Sequence, residues 1–387
     1  MDGKNRVLEA INHRKTDKFP CSYEATYEVS EVLIKHLGLD KIEEDKDIKS
    51  GSNQPSVSEK RKFGMKHEIA LQKKLGVDQS IVICPTSSKT VGNWWGLPLL
   101  SRKPDGRMVG AWGIVFREFK YPFGTYIEID SSPLSETDDI EIIKKHPVPT
   151  LDLWDFEAYR EVLKKYQGFF IWLNMNGCFD FARFTRGTEK FFMDLAYEPI
   201  KAEILMDKVN DMAIDFFNKC MEEIGDLVDG VYLGDDWGTQ QGLAISPDMW
   251  RKYIKPRYKK LVSLIKSKGL KYCHHTCGGV YPIIRDMIDL GFDVLNPIQP
   301  LARDMEAGRL SREFGTDISF YGGIDEQQTL PQGTVEDVKN EVFRMMETLG
   351  KYGGYIVAPS HAFQPDTPIE NVLAVYEAVL GSPINII

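Results

Sequence analysis

From about residue 169 to the C-terminus, short apolar runs alternate with longer amphipathic stretches. The runs at 169–174, 230–234, 271–277, 292–296, 318–322 and 355–358 are rich in aromatic and aliphatic residues, as strands buried on both faces require. Helical patterns at 188–224, 247–268, 281–289 and 336–349 separate most of them. Ser246-Pro247 offers a capping hydroxyl before Pro at the first helical position, and Thr367-Pro368-Ile369-Glu370 reads as a capping box. Upstream, 18–24 and 79–84 read as two more strands, with helices over 6–11, 29–37 and 67–75 and a polar loop at 41–60. Strands alternating with helices in this number predict an α/β protein of the (β/α)8 TIM-barrel class, with its chemistry at the C-terminal ends of the strands. An open doubly wound sheet is disfavoured, because no Gly-x-Gly-x-x-Gly follows an early strand.

One region breaks the rhythm. Between 86 and 167, segments such as Trp94-Trp95-Gly96, Arg107-Met108-Val109-Gly110 and Thr125-Tyr126-Ile127-Glu128-Ile129 look like short aromatic hairpins. The region is too long for a simple connection. It is expected to be a β insertion after the second strand, a subdomain within a single barrel domain spanning 1–387.

The strand ends then define a candidate site. Lys271-Tyr272-Cys273-His274-His275-Thr276-Cys277 is a strand whose polar residues crowd its C-terminal end. Residues two apart share a face, so His275 and Cys277 point together. An imidazole beside a thiolate is chemistry that zinc prefers. The same stretch also fits a buried histidine among inert core cysteines. The only His beyond Cys277 is His361, at the end of the last strand, which makes it the natural third ligand. His274 faces away and is expected to pack among helices, and Cys273 to lie in the core. Asp235 and Asp236 follow another strand; being adjacent, only one can face the pocket, to orient a ligating imidazole or act in acid–base chemistry. Glu24, Asn174 and Tyr321 are assigned to the substrate side of the same ring.

Composition narrows the partners. A net charge of -9 argues against nucleic acid and anionic membrane surfaces. No apolar run approaches the roughly 18 residues that a membrane span needs. Six scattered cysteines and no apolar signal segment point to a reducing cytoplasm.

Several motifs together resemble the uroporphyrinogen decarboxylase superfamily. They are Arg6-Val7-Leu8-Glu9-Ala10 with Asp17-Lys18-Phe19-Pro20, Gly234-Asp235-Asp236-Trp237-Gly238-Thr239-Gln240, Lys255-Pro256-Arg257 and Gln364-Pro365-Asp366-Thr367-Pro368. The resemblance implies a (β/α)8 barrel. True decarboxylases of the superfamily carry an Arg-rich motif near the N-terminus; Cys21-Ser22-Tyr23-Glu24-Ala25-Thr26 has no Arg. The other branch comprises zinc methyltransferases that exchange methyl groups with a corrinoid (cobalamin) protein. Their His-x-Cys signature matches His275-Thr276-Cys277, whereas Ser360-His361-Ala362 stands where Gly-Cys-Gly is usual. The resemblance therefore implies zinc on His275, Cys277 and His361, and a partner protein carrying a corrinoid. One thiolate and two imidazoles would leave zinc at +1, a better Lewis acid than the neutral two-thiolate set. That favours a small methoxy donor over a thiol acceptor; Trp94, Trp95, Trp112 and Phe116 either wall an aryl ether or, the reading slightly preferred, form the insertion's own core. Thiol methylation, decarboxylation and non-catalytic metal or corrinoid binding are the alternatives, and a homodimer is compatible with all of them.

Overall fold

A computed structural model of the chain describes residues 1–43, 63–122 and 124–385. Seven parallel strands form one curled sheet: β1 (Gln79–Val82), β2 (Phe170–Asn176), β3 (Gly230–Gly234), β4 (Lys271–His275), β5 (Val294–Ile298), β6 (Ser319–Ile324) and β7 (Tyr355–Pro359). Each pairs with the next in chain order, the arrangement of a TIM-type barrel.

The eighth strand expected at 18–24 is instead an extended segment that closes the ring through isolated bridges. Cys21 pairs with Val357 of β7 and Ala25 with Phe363. Two features shorten it. Pro20 has no N–H to donate, and the Cys21 N–H goes to the Asp78 side chain at 3.1 Å rather than into a ladder. Asp78 also takes Lys18 at 2.7 Å and the guanidinium of Arg6, which in turn holds Asp17 at 2.7 Å. The paired N-terminal motifs thus form a partly buried ion network that fastens the helix Gly3–Ile11 to the barrel floor. From that helix Val7 and Ile11 pack up into the barrel interior against Trp172, Tyr232, Cys273 and Tyr321.

Other departures have equally local causes. The single helix expected over 188–224 is two, Thr188–Tyr197 and Pro199–Ile224, divided where Pro199 begins the second. The helix Cys178–Arg186 comes before them and was not expected. Over 247–268 a wide turn at Trp250–Ile254 precedes Lys255–Ser267, because Pro256 cannot donate back to the preceding turn. Ser246 caps as expected, accepting from Met249 N at 3.2 Å. The capping box at 367–370 does not form: Pro368 is the N-cap, and Thr367 Oγ1 is buried without a partner among the described residues. The polar loop expected at 41–60 lies almost wholly outside the described residues.

Between β1 and β2 the chain builds a five-stranded antiparallel sheet from Gly92–Trp94, Leu97–Arg102, Met108–Gly110, Val115–Tyr121 and Gly124–Ser131. Thr86 and Trp154 pair antiparallel on either side of this sheet. The first hairpin reaches the barrel mouth, where the side-chain amides of Asn174 and Asn176 donate to Trp95 O at 3.4 and 3.1 Å. No helix among the described residues is long and apolar enough to cross a membrane.

Candidate active site

The ends of β3, β4 and β5 set the centre of the site. His275 is the last residue of β4 and lies in register with Gly234 on one side and Asn296 on the other. Gly234 has no side chain to crowd the imidazole. Asn296 holds it: Oδ1 is 2.7 Å from His275 Nδ1 and also accepts from Tyr232 Oη at 2.8 Å. An amide oxygen only accepts, so Nδ1 carries the proton and Nε2 is left with its lone pair outward. Nε2 faces Cys277 Sγ at 3.7 Å and Asp236 Oδ1 at 3.9 Å. The ligand atoms of Asp236, His275 and Cys277 all lie within 4.8 Å of one another. His361 faces the same space, with its ring centre 6.4 Å from that of His275. Two imidazoles sharing one zinc at about 2.0–2.1 Å have ring centres roughly 5–6 Å apart. His361, which sequence reasoning put third in the set, thus lies beside the group of donor atoms that converge, while Asp236 lies within it.

The backbone around these groups is tightly specified. Asp236 Oδ1 accepts the Cys277 N–H at 2.8 Å. Gln299 accepts from Gly278 N at 2.8 Å and donates to Ser360 O at 3.1 Å, tying the loop of Cys277 to that of His361. Gly278 adopts φ +81°, and a Cβ there would strike the backbone of Thr239, so only glycine lets the Cys277 loop pass the turn at Thr239. Burial, then the charges of Asp236, Glu326 and Asp180, push the Cys277 thiol well above its ordinary pKa. Desolvation, followed by the neighbouring His275, lowers the pKa of His361. An imidazole pair and a thiol crowded by carboxylates suit a borderline-soft cation such as zinc, which deprotonates a coordinating thiol outright.

The adjacent aspartates divide their roles. Asp235 is 1 % exposed and accepts from Phe179 N, Asp180 N, Trp237 Nε1 and Tyr258 Oη at 2.7–3.1 Å. It anchors the N-terminus of the helix Cys178–Arg186, and burial together with Asp180 raises its pKa. Both its oxygens are engaged by these donors, and Asp236 is the one whose carboxylate joins the donor cluster. Tyr321 is fully buried in the barrel interior and does not line the cavity; its hydroxyl donates to Glu24 and lies 2.7 Å from Ser22 Oγ, two residues that do. Glu24 and Asn174 line the cavity. His274 stacks on Trp237 with centroids 3.9 Å apart, and Cys273 is buried.

That cavity, about 350 Å³, opens above the donor cluster. Trp94, Trp95 and Tyr126 of the antiparallel sheet form part of its wall. Trp112 lines a smaller neighbouring cavity of about 60 Å³, and Phe116 is buried against Trp94 with centroids 4.8 Å apart. Strand-end reasoning missed Tyr232, which the alternation of β3 places inward, and Asp180, whose carboxylate accepts Asp236 N at 2.8 Å. It also missed Glu68 and Gln72, which reach the cavity from the helix Met65–Lys74 and carry no strand-end signal.

The sequence pattern of the family described as uroporphyrinogen decarboxylase (URO-D) matches residues 118–381, more than half of the chain. The chain belongs to the URO-D family. Among curated URO-D relatives, the methylcobamide:CoM methyltransferase MtaA of Methanosarcina barkeri is 27% identical over 46% of this chain and 48% of its own. A uroporphyrinogen decarboxylase of Thermus thermophilus is 28% identical over 45% of this chain and 47% of its own. The chain therefore matches about half the length of these relatives. A solved structure, a methyltransferase from Methanosarcina mazei, shares the fold with TM-score 0.68 at 21% identity, covering 98% of this chain and 99% of that one.

Proposed function

We propose that this URO-D protein is a zinc-dependent methyltransferase that moves a methyl group from a small methoxy compound to the Co(I) of a corrinoid carried by a separate protein. The observation carrying this reading is the convergence of His275, Cys277 and Asp236 within 4.8 Å, with His361 beside them, at the base of a cavity walled by tryptophans. A catalytic zinc keeps three protein ligands and one open position. His275, Cys277 and His361 fill that role, and Asp236 anchors the Cys277 backbone. Bound there, zinc would supply Lewis acidity toward the ether oxygen. The rest falls to the chain itself. Trp94 and Trp95 hold the donor, Asn296 keeps His275 in the Nδ1–H tautomer, and Gln299 keeps the loops of Cys277 and His361 together. As the methyl carbon leaves, the C–O electron pair stays on oxygen, and Asp236 is placed to relay the proton this oxygen takes up.

The test is incubation of the purified protein with a reduced corrinoid protein and a panel of methoxy compounds, reading methylcorrinoid by its absorbance. Methylcorrinoid should form with at least one ether. Methylation of thiols with no ether demethylated would favour thiol methylation, the reaction named for the Methanosarcina barkeri relative. Among the described residues no Lys or Arg lines the cavity to pair with an anionic thiol acceptor.

Asn296→Ala should weaken zinc binding by about 10- to 100-fold, the usual cost of losing the group that orients a ligating histidine. Competition with a chromogenic chelator measures it, and unchanged affinity would mean that the Asn296–His275 contact does not serve the metal.

A further inference from the structure

The motif at 234–240 runs past the two aspartates into a short hairpin that the proposed chemistry leaves unused. Gly238–Thr239 and Gly242–Leu243 pair antiparallel against the turn that carries Cys277. Backbone lies directly on backbone there. Thr239 O accepts the Gly279 N–H at 2.8 Å, Gln240 O accepts the Arg303 N–H at 3.0 Å, and a Cβ on Gly238 would strike Cys277 O. With its main chain held in this way, the exposed Gln240 turns its side chain to Gln299, whose Oε1 accepts from Gln240 Nε2 at 3.0 Å.

Gln299 is buried and joins loops from four strand ends: Gln240 after β3, Gly278 after β4, Gln299 itself after β5 and Ser360 after β7. A primary amide has two ends of nearly the same shape, one accepting and one donating. The accepting end of Gln299 receives two N–H groups, from Gly278 at 2.8 Å and from Gln240, while its donating end meets Ser360 O at 3.1 Å. Turned over, the amide would set N–H against N–H twice and oxygen against oxygen once. Gln240 therefore doubles the electrostatic reason for the one orientation that ties the turn of Cys277 to the loop of His361.

We infer that Gln240 is a positioning residue for the metal: by donating to Gln299 it holds Cys277 and His361 at the spacing that one zinc requires. This rests on the reading of the cluster as a zinc site. Gln240→Met and Gln240→Glu both keep the length of the side chain and remove the donor, and Glu also presents a carboxylate to Gln299 Oε1. Both should fold with urea midpoints close to wild type, because the side chain is exposed. Competition with a chromogenic chelator measures zinc affinity. The ligand-field and thiolate-to-metal absorption of the cobalt(II)-loaded protein reports the geometry of the site. Gln240→Met should weaken zinc binding by about 3- to 10-fold, the scale of one net hydrogen bond. Gln240→Glu should weaken it by more than about 10-fold and alter the cobalt spectrum, because the carboxylate drives the Gln299 amide to turn over. The sign of the effect discriminates. A carboxylate near a cation would by simple attraction tighten binding, and a role in packing alone would treat the two variants alike. The inference is overturned if Gln240→Glu binds zinc as tightly as wild type, if it binds no more weakly than Gln240→Met, or if both variants keep the wild-type cobalt spectrum. Any of these results beside normal metal loading of the wild type would leave the zinc reading standing, whereas a wild type that takes up neither metal sinks both.

Discussion

Cys277→Ser is expected to weaken zinc binding by more than about 100-fold, beyond the 10- to 100-fold typical of groups that only orient a ligand. The thiol is the one soft donor in the cluster; burial, then the carboxylates around it, raise its pKa, and a coordinating zinc deprotonates a thiol outright. A serine hydroxyl occupies the same place without that chemistry. His361→Ala should also lose most of the metal, whereas His274→Ala should keep it, because His274 is stacked under Trp237 on the far face of β4. The measurement is zinc content after gel filtration against a weak chelator. Wild-type occupancy in Cys277→Ser would remove the metal site from this cluster. Occupancy lost in Asp236→Asn but kept in His361→Ala would instead make Asp236, His275 and Cys277 the ligand set.

The second large effect concerns stability. Asp235→Ala should destabilise the fold by roughly 4 kcal/mol or more, since it strands two amide N–H groups, an indole N–H and a phenol, each costing about 1–3 kcal/mol when left unpaired in the interior. The loss should appear as a lower urea midpoint and as faster amide exchange at Phe179 and Asp180. Gly177→Ala should act on the same contact, because a Cβ there would collide with the Asp235 side chain and the Tyr258 hydroxyl. A midpoint unchanged in Asp235→Ala would show that water or local rearrangement satisfies those donors.

How far these features were legible in the sequence depends on how local their causes are. The strands after 169 stand out because burial on both faces writes a continuous apolar run, and β4 exposes its chemistry because alternation puts His275 and Cys277 on one face. Alternation predicts that only one of Asp235 and Asp236 faces the pocket, yet both line the cavity, and only Asp236 joins the donor cluster. Which one joins it was not readable, because Asp235 is claimed by a helix N-terminus 55 residues away in sequence. The segment at 18–24 has strand composition, yet the Asp78 side chain takes an N–H that a ladder would use, and nothing near 18–24 announces it. Thr367 carries the letters of a capping box while the helix starts beyond Pro368. Tyr126, Glu68 and Gln72 reach the cavity from the antiparallel sheet and an outer helix, so no strand-end pattern could nominate them.

The helix Gly3–Ile11, pinned by Arg6 to Asp17 and Asp78, closes one end of the barrel. Val7 and Ile11 stopper that end, so a small molecule and a large partner approaching the strand ends must share the other. Whatever sits deeper has to enter first and leave last. For a reaction that joins a buried donor to a bulky protein-borne acceptor, such a vessel imposes compulsory order: donor, then carrier, then departure of the carrier before the spent donor can escape.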